Sequence, residues 1–156
     1  MTLQALNELA QPELYTTLQQ CCGAHKWVEK MMADFPMAGE TALLDAADRH
    51  WAACTPADGL EAFSHHPRIG DRPALHKEQA GVAHASAAIL EELASLNTRY
   101  EEKFGYIFIV FASGKSATDM LALLKARMNN APAEEIKIAM AEQGKITHLR
   151  LEKLLS

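Results

Sequence analysis

Six consecutive β-branched or aromatic residues, Tyr106-Ile107-Phe108-Ile109-Val110-Phe111, form the one stretch of this chain that by itself reads as a buried strand. Nothing else in the sequence offers that run a ladder partner, and a lone strand cannot satisfy its own backbone N–H and C=O groups. The expected fold is therefore all-α: a compact single-domain multi-helix bundle with one buried extended segment near residues 106–111.

The rest of the chain carries helical spacing. Thr2 caps a short first helix with Leu3, Leu6 and Leu9 on one side, and Pro12 suits the first turn of a second that runs through Leu14, Tyr15 and Leu18 to Cys22. Gly23 stands where a left-handed cap is usually needed. Trp27, Val28, Met31 and Met32 continue the pattern up to Phe35-Pro36, and Gly39-Glu40 opens a helix with Leu43, Leu44, Ala47 and Trp51 on its inner side. Thr55-Pro56-Ala57-Asp58 turns into a short helix ending near Phe63.

A long amphipathic segment is predicted from about Lys77 to Lys103, with Val82, Ile89, Leu93, Leu96 and Tyr100 facing inward and Gly105 ending it. Ser116 to Asp119 starts a helix in the manner of a capping box, and Leu121, Leu124 and Met128 lie along it. Asn129-Asn130 closes that helix. Pro132 begins the last one, which carries Ile136, Met140, Leu149 and Leu154, with Gly144 as a kink. Trp27, Leu43, Leu44, Trp51, Leu93, Ile109 and Leu121 are the expected core.

At 156 residues and 49% hydrophobic content, the chain can build one sizeable core and is short for two ordinary domains, so residues 1–156 read as one domain. A formal charge of −5 and a pI near 5.8 supply no basic field for nucleic acid or an anionic membrane, and neither partner is expected. The longest apolar run, Phe104 to Ala112, is far below the roughly 20 residues that span a bilayer, and the N-terminus lacks a basic-then-apolar export pattern. Cys21, Cys22 and Cys54 are odd in number and show no CxxC or Cys/His ligand spacing, which fits a reducing cytoplasm.

Titratable groups concentrate in Ser64-His65-His66-Pro67-Arg68-Ile69-Gly70-Asp71. Pro67 fixes its own φ and pushes His66 out of the helical region, while Gly70 permits a turn, so the histidines are presented on a stiff loop. An imidazole titrates near neutrality and can give or take a proton at working pH, which makes His66 the first catalytic candidate. A structural turn with a solvated imidazole is the plain alternative. Glu78 supplies a carboxylate able to orient His66, and Gln79 an amide able to bind a polar ligand; both can equally be solvated first-turn residues. Arg127 falls on the inner side of its helix, where it holds an anion, snorkels, or pairs with Glu134 or Glu135. The Ala112-Ser113-Gly114 loop before a helix start can offer N–H donors or be an ordinary turn. His25, His50 and His148 receive no role.

Several blocks, in order and over nearly the whole chain, resemble the signatures of one family. They are Leu6 to Leu9, Cys22 to Trp27, His66 to Asp71, Glu78 to Gly81, Phe108 to Ser116, Arg127 to Asn130 and Ile146 to Leu151. The family is that of the 2-oxo-4-hydroxy-4-carboxy-5-ureidoimidazoline (OHCU) decarboxylases of urate breakdown. The resemblance implies an all-α, cofactor-free enzyme without a metal, converting OHCU to (S)-allantoin. It places the catalytic histidine on His66, before Pro67, and its acidic partner on Glu78. It assigns substrate contacts to Pro67, Gln79, Arg127 and the segment Val110-Phe111-Ala112-Ser113-Gly114. At the Leu75 position many relatives carry Ser, so this contact departs from the family pattern, and the connection from Asp71 to Glu78 is short. The small-molecule substrate is the expected partner, and a homodimer stays open. Two other classes compete: a metal hydrolase using His65, His66, His76 and His84, which lacks HExxH-type spacing, and a helical interaction module without chemistry.

Overall fold

The structure, a computed structural model, describes residues 1–68 and 86–156. Among them it contains eight α-helices and no strand: α1 Leu3–Asn7, α2 Gln11–Cys21, α3 His25–Ala33, α4 Glu40–Ala52, α5 Pro56–Ser64, α6 Ala87–Phe104, α7 Ala117–Arg127 and α8 Pro132–Leu154. The all-α expectation holds. Most boundaries fall where local chemistry places them. The Thr2 hydroxyl accepts from the Ala5 N–H at the start of α1, Pro12 lies in the first turn of α2, and Gly105 ends α6 at φ 85°.

The chain divides into two compact units. The first comprises Met1–Ala62 and Met140–Ser156. Its core joins Leu6, Leu14, Leu18, Trp27, Val28, Met31, Leu43 and Trp51 with Leu151. Both tryptophans are buried with their indole N–H satisfied: Trp27 donates to the Ala47 carbonyl at 3.1 Å and Trp51 to that of Met140 at 2.7 Å. Thr147 donates to the Cys21 carbonyl at 3.3 Å. The second unit, Phe63–Ala139, packs α6 on α7 around Leu93, Tyr100, Phe108, Val110, Met120, Leu121 and Leu124.

The strand-like run solves its backbone problem without a ladder. Residues 107–112 are neither helix nor strand, and Phe108, Ile109, Val110 and Ala112 are buried. The Ile109 carbonyl accepts from Arg127 Nη1 at 2.5 Å and that of Phe111 from Lys115 Nζ at 2.7 Å. The Ala112 carbonyl accepts the Lys115 N–H at 3.0 Å. Cationic side chains and a turn thus take up three of its carbonyls.

Four details differ from the sequence reading. Gly23 is not left-handed; Cys22 ends α2 in extended backbone at φ −152°, and the positive-φ glycines among the described residues are Gly105 and Gly114. Helix α6 starts at Ala87, not near Lys77, because Ser86 is extended and its hydroxyl caps the Ile89 N–H at 3.3 Å; Val82 lies outside the described residues. Leu44 is half-buried at the edge of the first core, while the other six expected core residues are buried. The inner face of α8 is offset from the apolar positions: Glu135, Ala139, Gln143, Ile146, Thr147 and Leu151 are buried, whereas Ile136, Met140, Leu149 and Leu154 are half-buried. Internal hydrogen bonds make that polar stripe tolerable, since Gln143 donates to Thr147 at 3.0 Å. At Gly144 an added Cβ would lie 3.2 Å from Trp51 Cδ1, so this glycine admits the indole against the helix.

Two substitutions separate conformation from packing. Gly105→Ala meets no neighbour but is held at φ 85°, and should cost about 1 kcal/mol. Gly39 caps α4 in extended backbone without a side-chain bond, so Gly39→Ser should add about 0.5 kcal/mol. Urea denaturation of both variants tests the pair; equal effects would contradict the assignment.

Candidate active site

The predicted site residues fall in several local settings. Helix α5 ends at Ser64, and the His66 N–H donates to the Phe63 carbonyl at 3.1 Å, so a turn presents the imidazole beside Pro67. His66 and Pro67 are half-buried and His65 is exposed. Arg68 reaches across to α6, where its Nη2 lies 2.6 Å from Glu101 Oε2. Leu75, Glu78 and Gln79, with His76 and His84, lie outside the described residues.

The segment Val110 to Gly114 runs from the buried core to the surface. Val110 and Ala112 are buried, Phe111 is half-buried, and Ser113 and Gly114 are exposed, with Gly114 at φ 74° where glycine alone fits easily. The capping box is present: Ser116 Oγ accepts the Asp119 N–H at 3.1 Å and Asp119 Oδ2 accepts the Ser116 N–H at 3.0 Å. Those N–H groups, and that of Lys115, are therefore engaged internally, which narrows the backbone donors of this loop.

Arg127 is the most constrained of the candidates. It ends α7, is 7% exposed, and donates to Glu135 Oε2 from Nε at 2.8 Å and from Nη2 at 2.6 Å. Its Nη1 donates to the Ile109 carbonyl, and its guanidinium stacks 4.4 Å from the Phe108 ring centroid. Of the alternatives open in the sequence, the pairing with Glu135 is present. Glu135 itself is completely buried and also accepts from the Tyr100 hydroxyl through Oε2 and from Asn130 Nδ2 through Oε1 at 3.0 Å. Burial, then the bond to Glu135, push the Tyr100 hydroxyl well above the ordinary phenol range, so it remains a donor.

Sequence reasoning placed Tyr100 in the core and Glu135 among two optional partners, but missed that they share one carboxylate with Arg127 and Asn130. The available signal was weak: a Glu in the first turn after Pro132. It placed Tyr106 at the start of the buried segment but gave it no neighbours; its ring lies 5.2 Å from that of Phe63 and 5.8 Å from that of Tyr100. The Tyr106 hydroxyl is buried beside that of Tyr100 but makes no hydrogen bond of good geometry among the described residues; burial raises its pKa and the neighbouring Tyr100 hydroxyl lowers it in part.

The remaining titratable groups have local explanations. His25 Nδ1 lies 2.8 Å from Glu61, His50 Nε2 lies 2.6 Å from Asp34, and His148 lies 3.5 Å from Asp48 and 3.4 Å from Glu152. The His50 contact holds the Asp34 carboxyl below the usual range. Burial pushes the Cys22 thiol up to about 12 and that of Cys54 to about 11, which disfavours a thiolate nucleophile. No cluster of three His, Cys, Asp or Glu side chains among the described residues can hold a metal ion.

Comparison with known proteins decides what this arrangement belongs to. A family model described as OHCU decarboxylase matches residues 7–152. The chain belongs to the OHCU decarboxylase family. It is 39% identical over 147 residues to the uric acid degradation bifunctional protein TTL of Arabidopsis thaliana, covering 87% of this chain and 45% of that protein. The chain thus spans less than half the length of that relative. A crystal structure of OHCU decarboxylase in the presence of (S)-allantoin superposes with a TM-score of 0.81 at 40% identity, covering 88% of this chain and 95% of the other. An (S)-allantoin synthase crystal structure shares the fold at a TM-score of 0.75 and 21% identity, covering 98% of this chain and 53% of the other.

Removing the Tyr106 hydroxyl takes away a neighbour of the Tyr100 hydroxyl, which keeps its own bond to Glu135. Tyr106→Phe should therefore match the wild type in stability or exceed it by about 1 kcal/mol, measured by urea denaturation. A loss of that size would reveal a partner for the hydroxyl.

Proposed function

We propose that this protein removes CO2 from OHCU and delivers (S)-allantoin, acting as a single family domain over residues 1–156. Family membership across nearly the whole chain carries this reading. Loss of CO2 leaves an electron pair that needs a sink, and the C=N bond of the substrate, adjacent to the carbon that loses CO2, serves without pyridoxal, thiamine or a metal. The protein then has to orient the substrate and move one proton.

In this reading Glu78 orients His66, which relays a proton to one face and so sets the hand of the product. Arg127 holds an anionic or ureido group. Gln79 and the backbone of Val110, Phe111, Ala112, Ser113 and Gly114 hold the polar edge, with Pro67 and Leu75 lining the substrate. The half-buried His66 next to Pro67 supports the proton-transfer role, and the buried, oriented guanidinium of Arg127 supports anion recognition. A cytoplasmic protein acting on a small molecule fits the acidic chain, whose described helices include none long and apolar enough to cross a membrane. A homodimer is compatible with this reading.

His66→Asn should slow decay of freshly made OHCU by about 10²–10⁴-fold while circular dichroism shows an intact fold, because Asn hydrogen-bonds but carries no proton. His65→Asn is the internal control and should cost much less. If His65→Asn abolishes turnover and His66→Asn does not, the motif register is wrong by one; if neither matters, the loop is structural.

Activity should also survive exhaustive dialysis against EDTA. Its loss, with recovery on adding zinc, would instead favour the metal hydrolase and make His76 and His84 the residues to mutate.

A further inference from the structure

We propose that Glu135 is a positioning residue that acts through Arg127, presetting the direction of the guanidinium donors toward a planar carboxylate or ureido group of the substrate. The inference rests on the decarboxylase reading above. A guanidinium has five N–H donors. Three are engaged: Nε and Nη2 with Glu135 Oε2, and Nη1 with the Ile109 carbonyl. Among the described residues this leaves one N–H on each terminal nitrogen, in a plane set by Glu135 and by the Phe108 ring beneath.

Glu135 is itself locked from both oxygens, by the Tyr100 hydroxyl and Arg127 on Oε2 and by Asn130 on Oε1. Five separate stretches of the second unit therefore meet in one ion pair: the end of α7 supplies Arg127 and the first turn of α8 Glu135, the extended segment bonds the guanidinium through Ile109, and α6 and the turn before α8 bond the carboxylate through Tyr100 and Asn130. Packing alone does not call for such a device, since apolar residues of equal volume stabilise a core at least as well as a buried ion pair. Holding a donor fork at a fixed angle does call for it.

Glu135 offsets the positive charge of Arg127, so what the pair offers an anionic substrate is chiefly the direction of its donors. If Glu135 were only a counterion, Glu135→Gln would uncover the guanidinium charge and bind an anion equally or more tightly, lowering KM. If Glu135 positions Arg127, the same change lets the guanidinium turn and lowers kcat/KM.

The test is steady-state decay of fresh OHCU, with thermal unfolding measured in parallel and rates normalised to folded protein. Glu135→Gln should lower kcat/KM at least tenfold, and Tyr100→Phe, which keeps the carboxylate and removes one of its donors, about threefold. Arg127→Lys combined with Glu135→Gln should be no worse than Arg127→Lys alone within about threefold, because both act on one fork. An unchanged or lowered KM with unchanged kcat in Glu135→Gln, or multiplicative losses in the double variant, overturns the inference. Should Glu135→Gln not fold, wild-type kinetics in Tyr100→Phe would overturn it and a threefold loss support it. A wild-type protein inert toward OHCU sinks the decarboxylase reading and this inference with it; an active wild type with either failure above sinks the inference alone.

Discussion

The buried carboxylate of Glu135 is the contact on which the second unit depends. Taking an ionised carboxylate and a guanidinium out of water costs several kcal/mol for each, and good geometry with further hydrogen bonds is what offsets it. Here two guanidinium nitrogens, a phenol and a side-chain amide meet one carboxylate. Removing either ionic partner from such an arrangement typically costs about 3–5 kcal/mol, because the other is left charged and unpaired. The pair is thus poor as a source of net stability and strong as a source of uniqueness: alternative packings of α6, α7 and the start of α8 strand a charge.

That same pair also takes up the Ile109 carbonyl of the strand-like run. Its side chains enter the core at Phe108, Val110 and Ala112, and its carbonyls are bonded by Arg127 and Lys115. Lys115 also stacks over the Phe111 ring at 5.3 Å, and Lys103 donates to the Met128 carbonyl at the end of α7. Long cationic side chains can bury their stems and still deliver a donor to a carbonyl, a role no apolar residue can fill. The segment is extended because its residues favour that backbone and pack well, and side chains bond two of the carbonyls that a partner strand would otherwise take up.

The first unit uses titratable groups differently. His25, His50 and His148 each face a carboxylate near the surface, and Glu61 also accepts the His25 N–H at 3.0 Å where α3 begins. Asp58 works similarly at the start of α5, where the Thr55 N–H bonds its carboxylate at 2.8 Å and holds its pKa low. Such contacts shape helix ends and local charge, which accounts for three of the seven histidines of the chain without chemistry. The turn before Pro67 is different in kind, because a rigid residue there follows an imidazole just past a helix end.

Helix existence, the caps at Thr2, Gly105 and Ser116 and the first-turn Pro12 were determined by the sequence, because each follows from neighbours within one or two turns, and the absence of a sheet among the described residues followed from the lack of a second strand-like run. The presentation of His66 belongs with them, being set by Pro67 next to it. The inner face of α8 was not legible: Glu135 and Gln143 read as solvent-facing until tertiary partners satisfy them. Nor was the start of α6 at Ala87, which the Ser86 hydroxyl caps although the apolar spacing runs on before it in the sequence. Which anion Arg127 meets was decided by tertiary structure alone, because Tyr100, Ile109, Asn130 and Glu135 are separated along the chain and are gathered around one ion pair only when their elements pack together. Helical periodicity assigns a residue to a face; the partner it finds there depends on the whole path of the chain.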